Sequence, residues 1–292
     1  MELTHTAARA GRLSSFLKEE LNMSTGLINR LKWQDLLFVN GNPVHTDYAV
    51  QPGDVITVPL SEPTPDYPAE PGELTVLYED AHILAVDKPS GMLIHPSRAT
   101  NTGTLANRVL HYYRTTGQQS AFHPITRLDR DTFGIVLLAK NAHIHALLND
   151  LHDGGHLQKT YHAPVFGGPA CDTGIINAPI ARRPLPSLLR FVDDAGKPSR
   201  TAFRVLTRQD RTSLLELQPL TGRTHQLRVH CAHMGYPILG DPQYGTAESL
   251  AYSQSLGLTT QQLLAYSLSF PHPITGESLT LYTQLTLPTT DN

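Results

Sequence analysis

Residues 127–139 read Arg-Leu-Asp-Arg-Asp-Thr-Phe-Gly-Ile-Val-Leu-Leu-Ala. Four charges, Arg127, Asp129, Arg130 and Asp131, lie within five residues and run straight into the apolar stretch Ile135–Ala139. A short apolar run behind a turn reads as a buried strand. The chain must therefore fold so that a carboxylate sits between cations at the edge of a core. Nearby arginines favour the ionised form of a carboxylate. An anionic carboxylate partly shielded from water is what a carboxylate nucleophile needs. An ion pair that merely caps the strand is the competing reading.

The surroundings of this segment set the class of protein. With 292 residues and 40% hydrophobic side chains, there is enough material for about two globular domains. No apolar run reaches the roughly 20 residues a membrane helix needs. Two cysteines, Cys171 and Cys231, cannot form a disulfide framework, and the N-terminus lacks the apolar middle of a signal peptide. A cytoplasmic protein is expected. The net charge of −3 hides a segregation. Residues 98–140 carry six basic and two acidic side chains, and residues 177–230 carry ten and four. Arg outnumbers Lys by 17 to 6, which favours bidentate contact with oxyanions. If the two stretches meet, they make the footprint of an anionic ligand; ordinary solvated surface is the alternative.

Residues 1–60 read as a small module. Leu13, Phe16, Leu17 and Leu21 have helical spacing, and Ser24 or Thr25 can cap a second helix. Asn40-Gly41 signals a hairpin, and Gly53-Asp54 another turn. With Arg12-Leu13, Phe16-Leu17, Val39-Asn40-Gly41, Val44 and Gly53-Asp54 in this order, the stretch resembles the S-four RNA-binding module. It departs from a phosphate-binding surface in holding five basic and six acidic residues. Residues 61–72, with four prolines and three acidic side chains, read as a semi-rigid linker. The second domain spans 73–292. Strands are expected at 74–78, 83–86, 134–139, 160–166, 202–207 and 213–217, and helices at 105–114, 142–151 and 224–234, the last ended by Gly235. Irregular alternation favours an α+β fold, with a mixed, mainly antiparallel sheet and flanking helices.

The segment Arg127–Asn141 closely resembles the catalytic motif of the RluA-type pseudouridine synthases. Four further stretches match in order: 76–97, with Asp87-Lys88-Pro89-Ser90-Gly91; Lys159–Gly167; Leu220–Gly245; and Leu263–Glu277. Thr126, Phe133 and Leu264 depart from residues common in the family. The resemblance implies the pseudouridine synthase fold and isomerisation of uridine in RNA, without cofactor or metal. It makes Asp129 the nucleophile, at ribose carbon 1′ or uracil carbon 6. It makes Tyr161 the residue that stacks on the base and Arg228 the ion-pair partner of Asp129. Arg127, Arg130, Lys159, Arg223 and His225 become candidate RNA contacts. Leu227, Cys231 and Met234 form an apolar stripe, with Arg228 at its edge. A monomer is expected, acting on large-subunit ribosomal RNA or on tRNA, with the S-four resemblance favouring the former.

Three rivals remain at this level. Fifteen histidines, among them His143, His145, His152, His156, His225, His230 and His233, invite a zinc reading, but neither cysteine has a partner at zinc spacing. Asp172 in Cys-Asp-Thr-Gly and Asp129 look like two protease-type signatures, yet flanking arginines oppose a shared proton. A non-catalytic RNA-binding protein is the third, and Asp129, Tyr161 and Arg228 all standing in place speak against it.

Overall fold

The structure is a computed structural model that describes residues 2–60, 65–97, 100–184, 187 and 189–288. The first body comprises β1 (Glu2–Thr6), β2 (Gly11–Arg12), α1 (Leu13–Ser15) continued by a π-helical turn Phe16–Glu20, and α2 (Thr25–Trp33). It ends with β3 (Phe38–Val39), β4 (Asn42–Pro43), β5 (Ala49–Val50) and β6 (Val55–Pro59). The sheet order is β1-β6-β3-β4, with β2 on β5. Ser24 Oγ accepts the Leu27 N–H and starts α2. Asn40 and Gly41 both take positive φ, 51° and 78°, as a two-residue hairpin with this twist requires. Leu13, Phe16, Leu17, Ile28, Leu31, Ile56 and Val58 make a separate buried cluster. Unlike the order read from the sequence, a strand precedes the helices: β1 runs antiparallel to β6 with Leu3 opposite Val58.

The second body begins with β7 (Thr75–Glu79), β8 (Ile83–Lys88), α3 (Leu105–Thr115), β9 (His123–Pro124), β10 (Phe133–Ala139) and α4 (Ala142–Asp153). There follow β11 (Gln158–Phe166), β12 (Thr173–Asn177), β13 (Ile180–Arg182), β14 (Arg190–Val192), β15 (Arg200–Arg208) and β16 (Thr212–Pro219). Then come α5 (Gln226–His233), α6 (Ala247–Ser255), β17 (Leu264–Pro271) and β18 (Ser278–Tyr282). The main sheet runs β12-β15-β16-β11-β17-β10-β8-β7, with β18 on β17 and β9 on β10. It is antiparallel except where β10 lies parallel to β17. This is the α+β arrangement expected.

Both faces of this sheet are covered, which explains the apolar run behind the charge cluster. Val136 and Leu138 point into a cluster with Leu105 and Val109 of α3 and Leu227 and Cys231 of α5. Ile135, Leu137 and Ala139 point the other way, to Ile144 and Leu148 of α4. Period-two alternation is thus present, but with no polar face.

Several readings are corrected. Of the stretch read as a semi-rigid linker, residues 61–64 lie outside the described part, and residues 67–70 are held against the second body. Tyr67 packs on the core, Asn107 Nδ2 donates to the Pro68 carbonyl at 2.8 Å, and Glu70 N–H donates to the Asn107 carbonyl at 3.0 Å. Helix α5 starts at Gln226 rather than Thr224, because His225 takes a left-handed conformation. It has no single buried stripe: Gln226 to Cys231 are all buried, and Arg228 lies within the packing rather than at its edge.

Candidate active site

Asp129 sits on the loop that enters β10, and buried contacts pin that loop. Lys88, fully buried, donates from Nζ to the carbonyls of Pro89 at 2.9 Å, Met92 at 2.8 Å and Arg130 at 2.8 Å. Ser90 Oγ donates to the Asp131 carbonyl at 3.0 Å. Thr126 Oγ1 accepts the Leu137 N–H at 3.0 Å. At the strand entrance Gly134 has φ 106°, and a Cβ there would lie 2.3 Å from the Ala265 carbonyl oxygen. Only glycine fits that backbone and that approach.

Ala265 joins the two halves of the site. It is in register with Gly134 on one side and with Tyr161 on the other. The register of β11 shifts between Thr160 and Tyr161, and such bulges re-aim a side chain. Tyr161 is 8% exposed and lines a cavity with Asp129. Burial, and then the charge of Asp129, push its phenol well above the ordinary value, so it remains protonated.

The cavity holds about 490 Å³. Asp129, Tyr161, Arg228, Arg127, Lys159, Arg223 and His225 all line it. Arg127 comes from one arginine-rich stretch, Arg223 and Arg228 from the other, so the two do meet. Arg98, counted with the first, lies outside the described residues. Arg130 is the exception: its Nε donates to the Gly91 carbonyl at 3.1 Å, and it does not line the cavity. A larger crevice, about 1010 Å³ between α2 and α4, contains none of these residues.

Arg228 is 4% exposed. Its Nη1 donates to Asp129 Oδ2 at 3.2 Å, while Nε and Nη2 donate to Asp241 at 2.7 and 2.8 Å. Nη2 also donates to Gln243 Oε1 at 2.8 Å. Burial alone would pull the guanidinium down; Asp241 first, and then Asp129, outweigh it and hold it above its usual value. Asp129, by contrast, keeps 29% of its side chain exposed and faces the cavity. An ion pair with one end buried and the other open leaves a carboxylate free to meet a substrate. Lys159 Nζ lies 2.9 Å from His152 Nε2, and burial lowers its pKa.

Four contributors were not singled out from the sequence. Asp241, Gln243 and Tyr244 follow Gly240 in a turn, and Gln226 ties α5 to β15 through Arg200 and Thr201. The Gly-Asp turn lay within a matched stretch, and that was its only signal. The residues of the rival readings lie apart or have other partners. Among the described residues no three His, Cys, Asp or Glu side chains gather as metal ligands. His230 is spent on Thr201 at 2.9 Å and the Ala178 carbonyl at 3.0 Å. Asp172 is exposed and pairs with Arg208 at 2.6 Å.

Comparison with known proteins agrees with this geometry. Residues 82–233 match the RNA pseudouridylate synthase family. The chain is 36% identical over 269 residues to the RNA pseudouridine synthase YjbO of Bacillus subtilis, covering 91% of this chain and 93% of that one. It is 33% identical over 287 residues to the ribosomal large subunit pseudouridine synthase C of Vibrio cholerae, covering 94% and 89%. Among solved structures, human RNA pseudouridylate synthase domain containing 1 superposes with a TM-score of 0.61 at 26% identity, over 73% of this chain and 85% of that one. A synthase fold with a charge-paired aspartate open to a cavity, together with these matches, places the chain in the RNA pseudouridylate synthase family, among its RluA-type members, as an RNA-modifying isomerase.

Proposed function

We propose that the enzyme converts uridine in large-subunit ribosomal RNA to pseudouridine, with Asp129 as nucleophile and no cofactor. The observation that carries this reading is the Arg228 bridge, which joins buried Asp241 to half-open Asp129. In the reaction the bond from ribose carbon 1′ to uracil N1 breaks and one from carbon 1′ to carbon 5 forms. Carbon 5 loses a proton and N1 gains one. The change is redox-neutral, so carboxylate chemistry suffices and activity should survive EDTA on pre-folded RNA. Attack at carbon 1′ or at uracil carbon 6 both suit a carboxylate in this place.

A uridine in folded RNA must first leave its stack, at a cost of a few kcal/mol. Tyr161 then offers a face for the base, while Arg127, Arg223, Lys159 and His225 meet phosphates or base edges. Arg130, exposed and held at Nε by the Gly91 carbonyl, would meet RNA outside the cavity. The ribosomal target rests on the name of the Vibrio relative and on the resemblance of residues 1–60 to an S-four module; tRNA is the second substrate to test. The reading divides the chain into an RNA-capturing module at 1–60, a connection at 61–72 and a catalytic domain at 73–292. It places the enzyme in the cytoplasm as a monomer, with Cys171 and Cys231 as free thiols.

Incubating unmodified transcripts with wild type and Asp129→Asn tests the reaction. The variant should bind RNA and form no pseudouridine; turnover above a few per cent of wild type would remove Asp129 from the role. A chain starting at Asp66, which keeps Tyr67–Glu70 on α3, should retain the single-turnover rate within about threefold and lose RNA affinity, because uniform binding leaves the chemical step unchanged. Unaltered affinity would show that the module does not touch RNA.

A further inference from the structure

His225 sits at the start of α5 with φ 57° and ψ 18°, a left-handed conformation uncommon outside glycine. Its ring lines the cavity, with Nε2 3.8 Å from Asp129 Oδ2, too far for a hydrogen bond between them. The other nitrogen, Nδ1, is 2.8 Å from the Tyr244 hydroxyl. That hydroxyl already accepts the backbone N–H of Arg190 at 3.0 Å. A phenol has one proton to give. With Arg190 donating to the oxygen, the hydroxyl proton goes to His225 Nδ1. The reverse arrangement would leave the Tyr244 proton without an acceptor among the described residues. Nδ1 as acceptor satisfies all three groups at once, and this arrangement puts the ring proton on Nε2, facing the cavity beside Asp129.

We propose that His225 is a catalytic residue, a neutral imidazole whose Nε2–H, set by Tyr244 and Arg190, donates a hydrogen bond to the uracil while the nucleotide is held at Asp129. The inference rests on Asp129 as nucleophile. When the glycosidic bond breaks, its electron pair goes to the uracil and the charge spreads to the carbonyl oxygens. A fixed N–H at the rim of the nucleophile stabilises that charge as oxyanion-hole donors do, and it needs no reorganisation at the moment of reaction. The ring stays neutral for a physical reason. Burial lowers its pKa; Asp129 opposes this, Arg228 and Arg190 reinforce it, and Asp241 opposes it. These groups reach the ring from the loop before β10, from α5, from β14 and from the turn after α5. Keeping the ring neutral also leaves Arg228 as the cation paired with Asp129.

Two measurements test this. In protein labelled with 15N-histidine, NMR at pH 7.5 should show His225 with Nδ1 bare and Nε2 protonated, and Tyr244→Phe should shift the Nδ1 resonance as its hydrogen bond is lost. Single-turnover release of tritium from transcripts of large-subunit ribosomal RNA and tRNA labelled at uracil carbon 5 should separate two amide variants. His225→Gln, whose N–H can reach the place of Nε2, should hold within about tenfold of wild type. His225→Asn tolerates the left-handed backbone but falls short, and should lose on the order of 100-fold in rate, far more than the few-fold loss of RNA affinity expected for one lost contact. Equal rates for the two variants, a proton on Nδ1, or wild-type turnover by His225→Asn would each overturn the proposal. Turnover by Asp129→Asn would instead overturn the nucleophile, and the NMR result would still decide the tautomer.

Discussion

Asp241 holds Arg228 by two of its nitrogens, at 2.7 and 2.8 Å, and leaves the third to reach Asp129 at 3.2 Å. The buried carboxylate fixes the guanidinium, and the guanidinium aims the exposed carboxylate. Asp241→Ala would leave Arg228 buried with a single partially exposed counter-charge. Breaking a buried pair in this way typically costs about 3–5 kcal/mol. Urea unfolding should show a loss of that order; a change below about 1 kcal/mol would mean that water replaces Asp241.

Arg228→Lys keeps the charge and loses the fork. One ammonium cannot serve Asp241 on two sides and still orient Asp129. The single-turnover rate should fall at least tenfold while RNA affinity stays within about twofold. This variant is more informative than Arg228→Met, which would also strand buried Asp241. An unchanged rate would reduce Arg228 to a structural cation.

Tyr161→Phe should keep RNA affinity, since the ring remains, and report the hydroxyl by its rate. Tyr161→Ala should in addition weaken binding by about 1–3 kcal/mol, the usual worth of stacking a base on an aromatic ring. Wild-type affinity in both variants would place Tyr161 outside the base contact.

Gly134→Ala should destabilise the fold by more than about 2 kcal/mol, because it combines a left-handed backbone with a clash against backbone rather than a flexible side chain. Full stability in thermal unfolding would mean that β10 and β17 part easily at this point.

Lys88 gives a pH signature. Burial lowers its ammonium to about 8 from 10.5, against the pull of Asp131 and then Asp129. Between these values the unfolded chain still holds a proton that the folded protein has released, so the stability from this group rises with pH. A fall of roughly 2.5 pH units at about 1.4 kcal/mol each is on the order of 3 kcal/mol. Wild type should therefore gain on Lys88→Met between pH 8 and 10. Parallel stability curves would show that Lys88 keeps its proton throughout.

Local signals in the chain were legible where a residue's own geometry decides. Asn40-Gly41 marked a turn because both must take positive φ, and Ser24 marked a helix start because its oxygen reaches an open N–H. Strands β7, β8, β10, β11, β15 and β16 were legible from their apolar runs, the short β9, β12, β13, β14 and β18 were not, and motif order singled out Asp129, Tyr161 and Arg228, which line one cavity. What escaped depends on partners distant in the chain. Helix α5 is packed from all sides, so periodicity could not show that Arg228 is enclosed. Asp241 lies 13 residues beyond Arg228 in a turn, where a carboxylate ordinarily reads as solvated. Helix α6, Ala-Glu-Ser-Leu-Ala-Tyr-Ser-Gln-Ser, is polar and short; its start is set by Thr246 and Ser249 bonding each other's backbone N–H, a signal with no apolar periodicity behind it. The direction of Arg130 follows from Gly91, which sequence spacing does not bring near.

The position of β17 has a consequence for how the enzyme is made. Strands β11 and β10, which carry Tyr161 and follow Asp129, are not paired with each other; β17 lies between them and supplies Ala265 to both. A ribosome extrudes the segments that carry Asp129 and Tyr161 about a hundred residues before residue 264 appears. Until then the chain emerging from the exit tunnel holds two half-sheets with a gap where the last long strand belongs. Closing that gap pairs segments far apart in the chain, a slow step by nature. The loop of Asp129 and the strand of Tyr161 are thus made early and wait for residues 264–265 before one sheet holds them side by side.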